Sequence, residues 1–317
     1  MSNYKSVRLT HGGGIRAEDA TKESQYPRYA PRRRKRRRMI RALTLGIAAV
    51  ADWNPMRPSG TGDESIVLVS EREYEDLDGA RAESPVPKRV ALIQRIGLGR
   101  CGWFCLFSTQ DLAEVDDFTR EFRAASEVPL IEAGHAIPET GRVMGIAETA
   151  YKNVKRSRGA AGFNPEFIVA GFDEADLPAL FQLGESGRAE LRAVPGYAAT
   201  GSGAAHAGPQ LYWHNLQPND PLHEAIYKCW SAKLHSEKIV GPTTDVAVMI
   251  PDHEQPIEVG AAVRLTVESA LAALEAPVFA PRRPREPQRW REDLEQRVED
   301  MLQETRAADE ERWKNLR

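Results

Sequence analysis

Between residues 42 and 107 the apolar positions fall in short runs, which polar and turn-rich segments separate. Short apolar runs bounded by Gly, Pro and charged residues predict buried strands that follow one another through turns. The strands predicted for this part of the chain are 42–50, 65–70, 90–93 and 101–107.

After residue 107 the apolar spacing changes to the helical period. Ser108 is predicted to cap a helix with Leu112, Val115, Phe118 and Phe122 on its inner face. A second helix is predicted over 139–154, because its apolar residues recur at three- and four-residue intervals. Its predicted inner face comprises Val143, Ile146, Ala147, Ala150, Tyr151 and Val154.

The remaining elements return to strands and then alternate with single helices. Strands are predicted at 166–172, 179–183 and 189–193, a helix from Asp220-Pro221, strands at 245–250 and 256–260, and a helix near 265–274. Runs of strands that are separated from runs of helices indicate an α+β fold. Two helices between two sets of antiparallel strands predict a four-layer αββα sandwich.

The pattern also predicts three regions along the chain. Residues 1–41 lack periodicity and are predicted to form a disordered basic arm. Residues 42–278 form the αββα domain, and 279–317 comprise a Pro/Arg linker and a charged amphipathic helix. The apolar stripe of that helix is Trp290, Leu294, Val298 and Leu302.

Composition narrows the classes of function. A formal net charge of −3 over 317 residues gives no global field that favours nucleic acid or a membrane. Three cysteines do not make a disulfide framework, and no apolar stretch is long enough to cross a bilayer. With no signal peptide apparent, the protein is expected to be cytoplasmic.

The block Arg32–Arg38 is the one strong local charge. Its seven consecutive cations repel one another and favour an extended chain. The block is interpreted either as a solvated tail beside a processing or assembly boundary, or as a binding segment for nucleic acid or another polyanion.

Three later segments resemble a known family. The first, residues 166–173, reads Glu-Phe-Ile-Val-Ala-Gly-Phe-Asp, and the second, residues 197–203, reads Tyr-Ala-Ala-Thr-Gly-Ser-Gly. The third comprises residues 236–249. They resemble the proteasome subunit pattern, in which a strand of this kind precedes a hairpin and a Gly-Ser-Gly turn. Over 42–275 the chain resembles, in divergent form, a β-type subunit of the 20S proteasome or a bacterial proteasome homologue. Those proteins belong to the N-terminal-nucleophile (Ntn) hydrolase superfamily.

The resemblance implies a threonine peptidase site. In that family the mature N-terminal threonine is the nucleophile, its α-amine is the base, an acid and a lysine tune the amine, and a Gly-Ser-Gly turn forms the oxyanion hole. The matching positions are Glu71 for the acid, Arg89 or its neighbour Lys88 for the lysine, Ser202 and Gly203 for the oxyanion turn, and Glu237 for a supporting acid.

The nucleophile position is degenerate in this alignment. Matching Gly46 to the glycine of the family's first strand places Ala42, which has no nucleophilic atom, at the catalytic position. Cleavage before Thr44 would supply a threonine and would preserve strand parity, because it shifts the strand by two residues. Leu43 precedes Thr44, where the family usually has glycine.

The sequence therefore predicts a catalytically degenerate proteasome-like subunit with a structural or regulatory role in a ring of itself or related subunits. The first alternative is an active threonine endopeptidase that begins at Thr44, and the second is polyanion binding through Arg32–Arg38. No cofactor and no metal are predicted, since Gly97-Leu-Gly-Arg100 lacks a full phosphate-loop pattern and the histidines are dispersed.

Overall fold

The computed structural model describes residues 44–52, 64–71, 73–75, 81–83, 88–94, 100–109, 111–132, 138–159, 163, 165–236, 243–275 and 289–315. Several predicted features lie outside these residues. They are the basic arm at 1–41 with its Arg32–Arg38 block, Ala42, the glycines of 97–100, Glu237 and the linker before residue 289.

The first sheet has five strands, β1 Gly46–Asp52, β2 Glu64–Ser70, β10 Tyr197–Thr200, β11 Asp245–Met249 and β12 Ile257–Glu258. Their order across the sheet is β10-β1-β2-β11-β12. Every neighbouring pair is antiparallel, and β1 lies between β10 and β2. The predicted pairing of 256–260 with 245–250 is confirmed.

The second sheet has five antiparallel strands in sequence order. They are β5 Arg89–Ile93, β6 Trp103–Phe107, β7 Phe167–Phe172, β8 Pro178–Leu183 and β9 Ala189–Leu191. A separate two-stranded hairpin, which the sequence did not predict, is formed by β3 Glu73–Glu75 and β4 Arg81–Glu83.

The described residues contain six helices. They are α1 Leu112–Glu132, α2 Thr140–Arg158, α3 Ala204–Trp213, α4 Leu222–Leu234, α5 Ala261–Glu275 and α6 Arg289–Asn315. The described part of the chain is therefore α+β, with two five-stranded antiparallel sheets, the β3–β4 hairpin and six helices. None of these helices, in the part of the chain described, has the length and apolar character to cross a membrane.

The start of α1 differs from the prediction. Ser108 does not cap this helix; instead the Asp111 carboxylate accepts a hydrogen bond from the N–H of Ala113 at 3.0 Å. Leu112 is 61% exposed, so it does not belong to the inner face. In α2, by contrast, the buried residues are the six that the spacing predicted.

Alternate residues of a strand enter different apolar clusters. Ala48 and Val50 of β1 pack in a cluster with Phe104 and Ile168 of the second sheet. Residues 47, 49 and 51 of the same strand pack instead with α3, α4, α5 and α6. The opposite face of the second sheet packs with α1 and α2. Because side chains on both sides of these strands lie in apolar clusters, the strands are nearly continuous apolar runs in the sequence.

The C-terminal helix α6 contributes to the first of these helix-facing clusters. Leu294, Val298 and Leu302 are buried there, and Trp290 packs against Tyr227 with ring centroids 4.7 Å apart. These residues are the stripe that the sequence predicted.

Candidate functional site

The strand order brings three separate segments to the start of β1. Because β1 is antiparallel to both neighbours, Gly46 lies opposite Thr200 at the end of β10 and Ser70 at the end of β2. Thr44 lies two residues before the start of β1, the Gly201–Gly203 turn follows β10, and Glu71 follows β2. The topology therefore places Thr44 beside the turn and the acid.

Thr44 is held at each of its polar atoms. Its backbone N–H donates to the Ser202 hydroxyl at 2.9 Å, and its side-chain hydroxyl donates to the Ser108 carbonyl at 3.0 Å. Its own carbonyl accepts the N–H of Gly203 at 3.0 Å. Only 1% of the residue is exposed, so water does not compete for these bonds.

Gly201 allows the turn to approach Thr44 this closely. Its φ of +88° lies in the left-handed region, and a Cβ at this position would lie 2.3 Å from the Thr44 carbonyl oxygen. Only glycine satisfies both conditions without displacing the backbone.

Glu71 and Lys88 form a buried ion pair at the same end of the sheet. Lys88 Nζ lies 2.5 Å from one carboxylate oxygen of Glu71, and the other oxygen accepts the N–H of Leu45. Burial raises the pKa of the Glu71 carboxyl, while the Lys88 charge and these hydrogen bonds oppose that rise. The Glu71 side chain thus binds the residue that follows Thr44 in the chain.

Arg89 points to different partners. Its guanidinium pairs with Asp245 of β11 and Glu258 of β12. Of the two candidates for the lysine position, the structure therefore places Lys88, and not Arg89, beside Glu71. Arg89 instead links an edge of the second sheet to the first.

Two further residues at this site were not predicted in the role that the structure gives them. Ser108 accepts the Thr44 hydroxyl, and Glu166 accepts hydrogen bonds from Thr200 and Gly201 at 2.7 and 3.1 Å. The spacing predicts Ser108 as a helix cap. Glu166 is visible in the sequence only as the first residue of a family-like segment.

His214 and His235 contact α4, and the thiols of Cys101 and Cys229 are buried. His214 lies 3.1 Å from the Ser231 hydroxyl and His235 lies 2.8 Å from the Ser231 carbonyl, both on the side of α4. Burial lowers the pKa of His214 and raises the pKa of Cys101 and that of Cys229 to about 12. Among the described residues, no cluster of His, Cys, Asp or Glu has the geometry to hold a metal ion.

Proteins of known structure share the α+β fold of this chain. Two solved structures from Hyphomicrobium sp. strain MC1 resemble it: the Anbu (Gly-1) mutant, with a TM-score of 0.55, and Anbu, with 0.54. Each is 16% identical in sequence, and each match covers 73% of this chain and 94% of the other. Neither a protein-family model nor a curated relative matches the sequence.

These comparisons correct the resemblance drawn from the sequence. That resemblance was to a β-type subunit of the 20S proteasome or a bacterial proteasome homologue, whereas the structures that match are Anbu proteins. Likeness at 16% identity establishes the fold alone. The chain therefore shares its α+β fold with the Anbu structures.

Proposed function

We propose that the chain is a catalytically degenerate proteasome-like subunit with a structural or regulatory role in a ring assembly. The observation that carries this proposal is the engagement of Thr44. Its N–H, its carbonyl and its hydroxyl are all bonded to residues of its own chain. A nucleophile of the Ntn type needs a free α-amine and a hydroxyl directed at a substrate carbonyl.

The oxyanion turn supports the same proposal. Gly203 N–H, which would stabilise the negative charge of a tetrahedral intermediate, instead donates to the Thr44 carbonyl. A substrate would have to displace that bond before the donor became available. The Thr44 hydroxyl donates a hydrogen bond to the carbonyl of Ser108, a backbone oxygen that cannot act as a general base.

We infer a four-layer αββα arrangement for the domain. Its support is the alternation of strand residues between the three apolar clusters. One cluster joins the two sheets, and each of the other two joins one sheet to its own set of helices. In this arrangement Thr44 lies just before β1, with the first sheet on one side and Ser108, which follows β6 of the second sheet, on the other.

Assembly is supported by exposed aromatic side chains at the end of α3. Tyr212 and Trp213 are 73% and 74% exposed. Large aromatic side chains are enriched at the centres of protein interfaces, because they bury much area at little entropic cost. We infer that they contact a second copy or a related subunit.

Light scattering after size-exclusion chromatography tests this assembly. The wild type is expected to elute as an oligomer, and the Tyr212→Ser/Trp213→Ser double variant as a smaller species. Leu191→Ser, which changes a half-exposed residue of β9, serves as the control and should leave the mass unchanged. A monomeric wild type would contradict the proposal.

A peptidase assay tests the degenerate site. Fluorogenic peptides of varied sequence are incubated with the wild type and with Thr44→Ala at equal concentration. The proposal predicts the same background rate for both proteins. Hydrolysis by the wild type that Thr44→Ala abolishes would show an active nucleophile and overturn it.

A specific observation favours the alternative of an active threonine endopeptidase. The Thr44 nitrogen lies 2.9 Å from the Ser202 hydroxyl, and the buried Glu71–Lys88 pair lies beside the next residue. If the chain were cut before Thr44, the new α-amine would occupy that place. Its charge would then depend on these neighbours.

A further inference from the structure

Glu166 lies directly before β7 and connects three segments that are distant in sequence. One carboxylate oxygen accepts the Thr200 hydroxyl at 2.7 Å and the Gly201 N–H at 3.1 Å. Its backbone carbonyl accepts both the N–H and the hydroxyl of Ser108, each at 3.1 Å. One residue thus joins the end of β10, the end of β6 and the start of β7.

The hydrogen-bond partners of Thr44 lie in two of the segments that Glu166 joins. Ser108 supplies the carbonyl that accepts the Thr44 hydroxyl. The turn that begins at Gly201 supplies Ser202 and Gly203, which hold the Thr44 nitrogen and carbonyl oxygen. The hydrogen bonds of Glu166 go to these neighbours and not to the threonine, so any effect on Thr44 passes through them.

We infer that Glu166 is the positioning residue that holds the Gly201–Gly203 turn closed on Thr44. This inference rests on the proposed function, because it names what keeps the Gly203 donor occupied by the chain's own carbonyl. A carboxylate suits this role because bonds to an ionised acceptor are about twice as strong as neutral ones. One of its oxygens here serves two donors.

The conformation of Gly201 explains why the turn needs such a restraint. A residue at φ +88° has no regular secondary structure to fix it, and glycine has more conformations to lose than any other residue. A charged acceptor on its N–H selects one of those conformations. Loss of the acceptor would also leave the Thr200 hydroxyl, in a fully buried residue, without this partner.

The test compares two nearly isosteric variants of the full-length protein. Glu166→Gln keeps a carbonyl oxygen that can accept both donors, and Glu166→Met keeps the length of the side chain without an acceptor. Amide hydrogen exchange at single residues is measured by NMR. Glu190→Met, which changes an exposed glutamate of β9 that pairs with Arg192, is the matched control.

Glu166→Met is expected to accelerate exchange at Gly201 and Gly203 by about tenfold or more relative to Val248 of β11. Glu166→Gln is expected to restore most of the protection, and Glu190→Met to change neither amide. Unchanged exchange at Gly201, or equal acceleration at every amide, would overturn the inference. A mature N-terminus found at Thr44 would instead overturn the proposed function and would leave this exchange result standing.

Discussion

At the scale of the residue, the surroundings of Thr44 are set by close backbone approaches more than by ion pairs. The Gly201 backbone lies so near the Thr44 carbonyl that a side chain between them has no room. The charged groups of Glu71 and Lys88 are buried, and Glu71 binds the N–H of Leu45, the residue after Thr44. Two substitutions therefore test the two contributions separately.

Gly201→Ala is expected to lower the free energy of unfolding by at least about 2 kcal/mol, through a left-handed φ and a steric clash. The matched control is Gly145→Ala in α2, where the position is exposed and an added Cβ meets nothing within 4 Å. That change should stabilise the protein by about 0.5–1 kcal/mol, because alanine has the higher helix propensity. Urea denaturation measures both, and equal effects would contradict the geometry.

Lys88→Met is expected to cost about 3–5 kcal/mol at neutral pH, since it leaves the Glu71 carboxylate buried without its cation. Glu71→Gln/Lys88→Met should recover most of the loss. A double variant as unstable as the single one would show that packing, and not charge, is responsible.

The loss of stability in Lys88→Met should also depend on pH, and it should be smaller at lower pH. Burial raises the folded pKa of Glu71 above its ordinary value of 4.5, and removal of Lys88 raises it further. The folded state then binds the proton more tightly than the unfolded state, so its stability is greatest below about 4.5 and falls as pH rises through the folded pKa. Denaturation from pH 8 to pH 5 should show the deficit shrinking.

Only part of this site was predictable from single residues. Glu71, Ser202 and Gly203 were found because they match positions of the family pattern, and the structure brings them to Thr44. Lys88 and Arg89 could not be told apart, because adjacent residues near a strand end point to opposite sides and nothing in the sequence fixes which. Ser108 holds Thr44 through a backbone carbonyl, which any residue type carries.

At the scale of the element, spacing predicted most of the strands and helices but missed the strands β3, β4 and β10 and the helix α3. That helix contains Gly208 and Pro209, residues of low helix propensity, so local signals opposed it. It forms because Ala207 and Leu211 are buried against the first sheet. Tertiary packing outweighs propensity in a helix of this length.

The C-terminal helix α6 offers a direct test of such packing. Leu294 is fully buried in the same cluster, so Leu294→Ala is expected to cost about 2–5 kcal/mol. Gln296→Ala, on the exposed side of the same helix, should change stability by less than about 0.5 kcal/mol. Thermal or urea unfolding measures both. A Leu294→Ala variant as stable as the control would mean that α6 does not pack on the domain.

At the scale of the whole molecule, the sequence predicted an α+β protein because runs of strands and runs of helices were separated. It could not predict the strand order, since the pairing of β1 with β10 joins segments that lie about half the chain apart. That pairing creates the site. The chain's likeness to the Anbu structures concerns this arrangement of sheets and helices, while the engagement of Thr44 belongs to this chain's own residues.

Identification of the N-terminus of the purified full-length protein, by intact mass spectrometry, tests the central claim most directly. Wild type and Thr44→Ala are incubated side by side and their masses compared over time. If Thr44 is an ordinary residue just before β1, both proteins keep the peptide bond between Leu43 and Thr44. A wild-type species that begins at Thr44, absent from Thr44→Ala, would show a self-processed nucleophile and contradict the account.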